Sequence, residues 1–249
     1  MREYRYLHRF FVEADSINEN EVTIVGPTAR QIARVLRLDQ GDKIGVLDGS
    51  GTAHIVRLDA VSDNTVKGKV VASEVVDTEP KIRLTAAASL TKGERMEFTL
   101  QKCTELGAFE FILFSSARTV VKLDSRSIGR RLDRWRSIVK EAAEQSSRAV
   151  IPAVRGIFSI EELAGMISHY DLSICLWEEE DSRKIRSVIE QKRDFRSILI
   201  IVGPEGGFEE KEVRMLEEAG AVSATLGARI LRSETAAVAA AAIILDELG

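Results

Sequence analysis

Residues 197 to 235 hold two apolar runs, each closed by a glycine, with one charged segment of helix length between them. Ser197-Ile-Leu-Ile-Ile-Val202 leads into Gly203-Pro204-Glu205-Gly206-Gly207-Phe208, and Ala221 to Leu226 leads into Gly227-Ala-Arg-Ile-Leu-Arg-Ser-Glu-Thr235. An apolar run without alternation is covered on both faces, which is the condition of a strand in a parallel sheet. Both glycine segments then leave the carboxyl ends of strands, the edge at which open α/β sheets bind ligands. Gly203, Gly206 and Gly207 remove side chains there, so main-chain N–H and C=O groups can meet a ligand directly. The segment from Glu209 through Lys211, Val213, Met215 and Leu216 to a Gly220 stop reads as a helix, whose first N–H groups add donors at the same rim. No Gly-Lys-Ser/Thr follows the glycines and their spacing is not G-x-G-x-x-G, which argues against a phosphate-binding loop or a dinucleotide fold. On these residues alone an α/β enzyme and a non-catalytic binding module both remain open.

The rest of the chain divides in two. Residues 1 to about 75 carry short β-branched runs, Val22 to Val25, Lys43 to Leu47, His54 to Leu58 and Val66 to Ala72, with turn signals at Asp48-Gly-Ser-Gly51 and Ser62-Asp-Asn64. One helical patch, Thr28 to Leu38, interrupts them, with Ile32, Val35 and Leu36 expected on one face. Glu74-Val-Val-Asp-Thr-Glu-Pro80 reads as a linker. From Ile82 strands and helices alternate. Strands are expected at Ile82 to Ala87, Phe109 to Phe114, Ile174 to Trp177, Ile198 to Val202 and Val222 to Leu226, and helices at Glu94 to Leu106, Ile128 to Ser146 and Glu234 to Leu248. That alternation predicts a parallel sheet covered by helices. Trp135 falls on the apolar stripe of the long helix and is expected in the core.

Charge narrows the partner. The whole chain has a net charge of −4, yet residues 81 to 150 hold 14 Lys and Arg against 8 Asp and Glu. A basic stretch inside an acidic protein suggests a local surface for a polyanion. No apolar run reaches membrane-spanning length, and Met1-Arg-Glu-Tyr-Arg5 lacks the apolar core of a signal peptide, so a cytoplasmic protein is expected. Cys103 and Cys175 stand alone, and His8, His54 and His169 form no ligand cluster, so neither a disulfide framework nor a metal site is expected.

Gly203-Pro-Glu-Gly-Gly-Phe208 followed by Leu226-Gly-Ala-Arg-Ile-Leu-Arg-Ser-Glu-Thr-Ala236 resembles the paired signature of the SPOUT methyltransferases, and most closely the ribosomal RNA small-subunit methyltransferase E type. Lys92-Gly-Glu-Arg-Met-Glu-Phe-Thr-Leu-Gln-Lys102 with Glu105-Leu-Gly107, Glu141-Ala-Ala-Glu-Gln-Ser146 with Arg148 and Pro152, and Val35-Leu-Arg37 match the same family in order. The resemblance implies a knotted parallel-sheet (trefoil-knot) α/β methyltransferase domain over residues 81–249. A small PUA-like β-barrel RNA-binding domain over residues 1–74 precedes it, with residues 75–80 as linker. It also implies a homodimer, and transfer of a methyl group from S-adenosyl-L-methionine to N3 of a uridine in 16S ribosomal RNA during small-subunit maturation.

Carried onto this sequence, the resemblance assigns the cofactor to Gly203, Pro204, Glu205, Gly206 and Gly207 in the first loop and to Leu226, Gly227, Ile230 and Leu231 in the second. Leu176 or Trp177 closes the adenine pocket. Arg232, Glu234 and Thr235 are the expected catalytic group, with Arg232 stabilising charge on the uracil carbonyls as N3 loses its proton. Glu105 and Glu144 are further candidate proton acceptors. Arg9, Arg34 and Arg37 are the expected phosphate contacts of the first domain, and Lys92, Arg95, Lys102, Arg118, Arg126 and Arg148 those of the basic stretch.

Overall fold

The structure is a computed structural model that describes residues 3–121, 125–190 and 194–249; the side chains of Glu3, Arg5, Ser125 and Arg126 lie outside that description. The chain forms two compact units, one of Met1–Glu79 with Ala143–Ile151 and the other of Pro80–Ala142 with Pro152–Gly249.

The first unit is built on a six-stranded sheet in the order β1-β4-β5-β6-β3-β2. The strands are β1 (Arg9–Phe11), β2 (Ile17–Asn18), β3 (Glu21–Val25), β4 (Lys43–Leu47), β5 (Thr52–Val61) and β6 (Thr65–Val75). Pairing is antiparallel except between β1 and β4. Both expected turns form. Ser50 N donates to Asp48 Oδ1 at 2.9 Å between Gly49 and Gly51, which have positive φ, and Thr65 N donates to Ser62 Oγ at 3.1 Å. One sheet face packs Val46, Val56, Leu58 and Val66 against Ala29 and Ile32.

The helical patch differs from its expected course. It begins at Gly26 because Pro27 suits the first helical turn, runs as α1 (Gly26–Arg30), and continues as a π-helical turn over Gln31–Val35. The extra residue in that turn, closed by Leu36 N to Gln31 O at 3.0 Å, swings Val35 off the buried face. Ile32 is fully buried while Val35 is 71% exposed, so the two do not share a face.

The second unit is a six-stranded, all-parallel sheet in the order β12-β10-β11-β7-β8-β9. Its strands are β7 (Arg83–Ser89), β8 (Glu110–Ser115), β9 (Ala153–Ser159), β10 (Leu172–Leu176), β11 (Ser197–Val202) and β12 (Val222–Ala224). Its helices are α2 (Arg95–Leu106), α3 (Ser125–Gln145), α4 (Ile160–Met166), α5 (Ile185–Ile189), α6 (Glu210–Glu218) and α7 (Ser233–Leu248), the last residues of α3 falling in the first unit. β9 and α4 were not expected. β9 is an edge strand in which Arg155 and Gly156 break the apolar pattern. Ile198 to Val202 are buried throughout, as a doubly covered strand requires, and Trp135 is buried in α3. No helix among the described residues is long and apolar enough to cross a membrane.

Strand order places the site. From β7 the chain moves outward through β8 and β9, then returns to the other side of β7 to lay down β10, β11 and β12. The order therefore reverses between β7 and β11, and the carboxyl ends of those two strands flank the crevice at which such sheets take ligands.

Candidate functional site

Three loops meet at that edge: Leu90–Glu94 after β7, Gly203–Glu209 after β11 and Thr225–Arg232 after β12. The second is a tight turn closed by Gly207 N to Pro204 O at 3.0 Å. Gly207 has φ +69°, the backbone angle that calls for glycine; a β-carbon added to it would also lie 1.7 Å from Glu178 Oε1, the far end of a side chain that can swing aside. A β-carbon on Gly203 would lie 3.0 Å from the ring of Phe208, which is itself buried and stacked on Phe114. α6 starts with a capping box, Glu209 N donating to Glu212 Oε2 at 2.9 Å. The other oxygen of the buried Glu212 accepts Ala117 N at 2.8 Å, which ties the loop after β8 to the same edge.

Side chains lock the three loops together. Ser233 Oγ donates to Gly203 O at 2.6 Å, joining the first turn of α7 to the loop after β11. Glu205 Oε1 accepts Lys92 N at 3.1 Å and Arg95 Nη1 at 2.8 Å. Arg95 Nε also lies 3.9 Å from Glu234 Oε1, so one guanidinium at the start of α2 bridges the loop after β11 and the first turn of α7. Burial pushes the Glu205 carboxyl up, but hydrogen bonds from its own amide, from Lys92 N and from Arg95 outweigh that and hold it below the usual carboxylate range. Arg118 Nη1 donates to Gly206 O at 2.9 Å.

The loops after β7 and β12, with the first turns of α2 and α7, line an open pocket of about 820 Å³ formed by residues 92 to 95, Phe98, Ile230, Leu231, Arg232, Glu234 and Thr235. Its chemistry is mixed. Phe98 and Ile230 are 45% and 85% exposed, unusual for large apolar side chains beside a cavity. The main chain of residues 228–231 makes no hydrogen bond among the described residues, so its donors and acceptors stand free beside those apolar groups. One carboxylate oxygen of Glu234, Thr91 Oγ1 and Trp177 Nε1 are buried with no hydrogen-bond partner among the described residues. The Arg232 guanidinium makes neither a hydrogen bond nor an ion pair among the described residues. An apolar wall with free main-chain groups, one unpaired guanidinium and one half-satisfied carboxylate suits a flat, polar-edged heterocycle.

The expected site residues are distributed as follows. Arg232, Glu234, Thr235, Ile230 and Leu231 line the cavity, and the Gly203–Gly207 loop is joined to it through Glu205 and Ser233. Gly227, with φ +119°, is held by Thr225, whose Oγ1 accepts Gly227 N at 3.2 Å, and Leu226 lies beside it. Leu176 ends β10, and Trp177 N donates to Ala224 O at 3.2 Å. Lys92 is exposed at the cavity, whereas Lys102 is taken by Glu105 at 2.8 Å on α2. The side chain of Arg126 lies outside the described residues. In the first unit Arg9 Nε donates to Glu144 O at 2.7 Å, Arg34 Nε donates to Asp63 Oδ1 at 2.7 Å, and Arg37 is exposed with φ +55°. Arg148 is 4% exposed and its guanidinium is bonded to Glu79. Glu144 accepts Phe11 N, and Glu105 holds Lys102, so each of those carboxylates already has a structural partner. Sequence reasoning gave no role to Phe98, Glu178, Glu212 or Ser233. Phe98 and Ser233 stood inside the matched motifs, but nothing local marks Glu178 or Glu212.

Comparison with known proteins agrees with this geometry. A family model described as an RNA methyltransferase domain matches residues 78–245. The ribosomal RNA small subunit methyltransferase E of Bacillus subtilis is 35% identical over 92% of this chain and 93% of its own, and that of Synechocystis is 32% identical over 95% of this chain and 77% of its own. A crystal structure of a ribosomal RNA small subunit methyltransferase E from Neisseria gonorrhoeae, bound to S-adenosyl methionine, superposes with a TM-score of 0.87 at 30% identity, covering 98% of this chain and 99% of that one. With sequence and fold in agreement along nearly its whole length, the chain belongs to the ribosomal RNA small subunit methyltransferase E family of RNA methyltransferases.

Proposed function

We propose that this protein transfers a methyl group from S-adenosyl-L-methionine to N3 of a uridine in 16S ribosomal RNA, acting on the RNA or the small subunit in the cytoplasm. The observation that carries the reading is the main chain of residues 228–231, which makes no hydrogen bond among the described residues and reaches the pocket at Ile230 and Leu231, near the reversal point of the sheet. Gly203, Pro204, Glu205, Gly206, Gly207, Leu226, Gly227, Ile230 and Leu231 would hold the cofactor, largely through main-chain groups, with Leu176 and Trp177 against its adenine. Bound there, the cofactor supplies a methyl group already activated by its sulfonium, so the chain's own task is positioning and handling one proton.

Uracil N3 carries a proton on its pairing edge, so the base enters the cavity unpaired. Arg232 is the group we assign to the carbonyl oxygens, on which negative charge gathers as N3 loses its proton. Its free guanidinium supports that role, since Glu234 is turned toward Arg95 instead. Glu234 and Thr235 orient the base from the first turn of α7. Lys92 and the exposed Arg37 are assigned to RNA phosphates, and Arg95 to holding the loops.

Three features of architecture belong to the same reading. We assign residues 1–74 to a PUA-like RNA-binding barrel, and the segment around α7 to a trefoil knot. The Ser233 to Gly203 bond, which ties α7 to an earlier loop, supports the knot. Exposure of Phe98 and Ile230 supports a homodimer that covers the cavity rim.

The test is to incubate the purified protein with methyl-labelled S-adenosyl-L-methionine and small ribosomal subunits lacking the modification, then digest the RNA. Label in 3-methyluridine is the expected result. Label in another nucleoside would keep the methyltransferase and reject the uridine. Absence of both label and cofactor binding would leave a non-catalytic RNA-binding module.

A further inference from the structure

The first unit's sheet has two faces with different fates. One is covered along its length by the apolar cluster around Ile32 and Val56. On the other, Leu47, Ala53 and Ile55 are covered by Tyr4, Phe11 and Ala143, but only over the half of the sheet in which they lie. Beyond them the strands carry long charged side chains into solvent. Lys43 on β4 stands directly opposite Arg57 on β5, and Arg57 directly opposite Lys69 on β6. Lys67, two residues from Lys69, projects from the same face, and all four residues are exposed.

Like charges directly opposite one another in an antiparallel sheet destabilise it. Here two such pairs run consecutively, in a stretch that is acidic in sum: residues 1–80 hold 10 Lys and Arg against 13 Asp and Glu. Glu21, opposite Lys69, closes the row at β3. Arg57, Lys67 and Lys69 make no ion pair among the described residues, although acids are plentiful in the same unit. Neighbouring strands are about 4.8 Å apart, so the row presents cations at close, regular spacing on a rigid base. A linear polyanion offsets that repulsion along its whole length, which a single acidic side chain cannot do.

We infer that Lys43, Arg57, Lys67 and Lys69 form a phosphate-binding row on the first unit, and that the RNA backbone lies across it. The inference rests on the reading of this protein as an RNA methyltransferase and adds a surface outside the methyl-transfer cavity. The contact is electrostatic and independent of base sequence, so it sets affinity and register while the cavity selects the base.

The test uses the full chain carrying Arg57→Gln, Lys67→Gln and Lys69→Gln together, with unmodified small ribosomal subunits as the probe. Each phosphate contact contributes roughly 0.7–0.9 to the slope of log affinity against log salt, so the triple variant should lose about 2 to 3 from that slope. Between 50 and 200 mM salt the wild-type affinity should then fall roughly 30-fold further than the variant's. The charge-conserving set Arg57→Lys, Lys67→Arg and Lys69→Arg should keep the wild-type slope. Cofactor affinity should be unchanged in both, and the neutral variant should melt no lower than wild type because two repulsive pairs are gone. An unchanged slope in the neutral variant would overturn the inference and leave the row to an acidic protein surface. Failure of the underlying reading is separately visible as absence of methyl transfer by the wild-type protein.

Discussion

Arg95 offers the sharpest test of how the cavity is held. Its guanidinium donates to Glu205 Oε1 at 2.8 Å, and the same oxygen accepts Lys92 N at 3.1 Å, so Arg95→Met removes one of the two bonds that hold the Glu205 carboxylate in the Gly203–Gly207 turn. The Arg95 side chain is 40% exposed and that of Glu205 25%, which places the pair between a surface ion pair and a buried one. Surface pairs contribute about 0.2–1 kcal/mol and hydrogen bonds to charged groups about 1.5–3 kcal/mol, so about 1 kcal/mol is the reasonable value. If the turn must be ordered to bind the cofactor, that is a roughly fivefold loss of S-adenosyl-L-methionine affinity by calorimetry. Glu205→Gln should cost a similar factor, and because both changes break one bond, the double variant should lose little more than either alone. Additive losses, on the order of 25-fold in the double variant, would refute the argument. So would a variant that binds the cofactor normally but lowers the salt slope of RNA binding by about 1, since that is the signature of a phosphate contact.

Other expectations follow from the same geometry. Gly207→Ala must place a β-carbon at φ +69°, which costs about 1–2 kcal/mol, so cofactor affinity should fall about tenfold; Glu178→Ala should not restore it, because the carboxylate can swing aside and the backbone angle cannot. Arg232→Ala should cut methyl transfer at least about 100-fold with cofactor affinity unchanged by calorimetry, and wild-type turnover would remove Arg232 from the chemistry. Glu205, held below its unfolded value, contributes stability that is complete above the ordinary carboxylate range and is lost as pH falls through its depressed folded value. Cofactor binding followed by fluorescence should therefore weaken only in that acid window, and Glu205→Gln should flatten the response. Burial pushes the Cys103 thiol up to about 12 and raises Cys175 as well, so neither should react with a thiol reagent at pH 8 until the protein is unfolded.

What was legible in the sequence is what each segment needs for itself. Ile198 to Val202 declare a doubly buried strand because every residue is apolar, and the Gly203 to Gly207 turn declares itself by three glycines in five residues directly after that strand. Where local signals conflicted, the reading slipped. Arg155 and Gly156 hid β9, since an edge strand need not be apolar on both faces, and the π-helical turn that exposes Val35 leaves no mark in a pattern of 3.6 residues. The partners inside the site were hidden for a different reason. Lys92 and Arg95 reach Glu205 across more than a hundred residues only because β7 lies beside β11 in the sheet, and Ser233 reaches Gly203 across 30 because α7 packs back on those strands. Apolar runs specify that strands are buried but not which strand lies next to which. Arg95 therefore looks like one more cation in a basic stretch, and only the sheet order turns it toward Glu205 and Glu234, leaving the Arg232 guanidinium unpaired among the described residues.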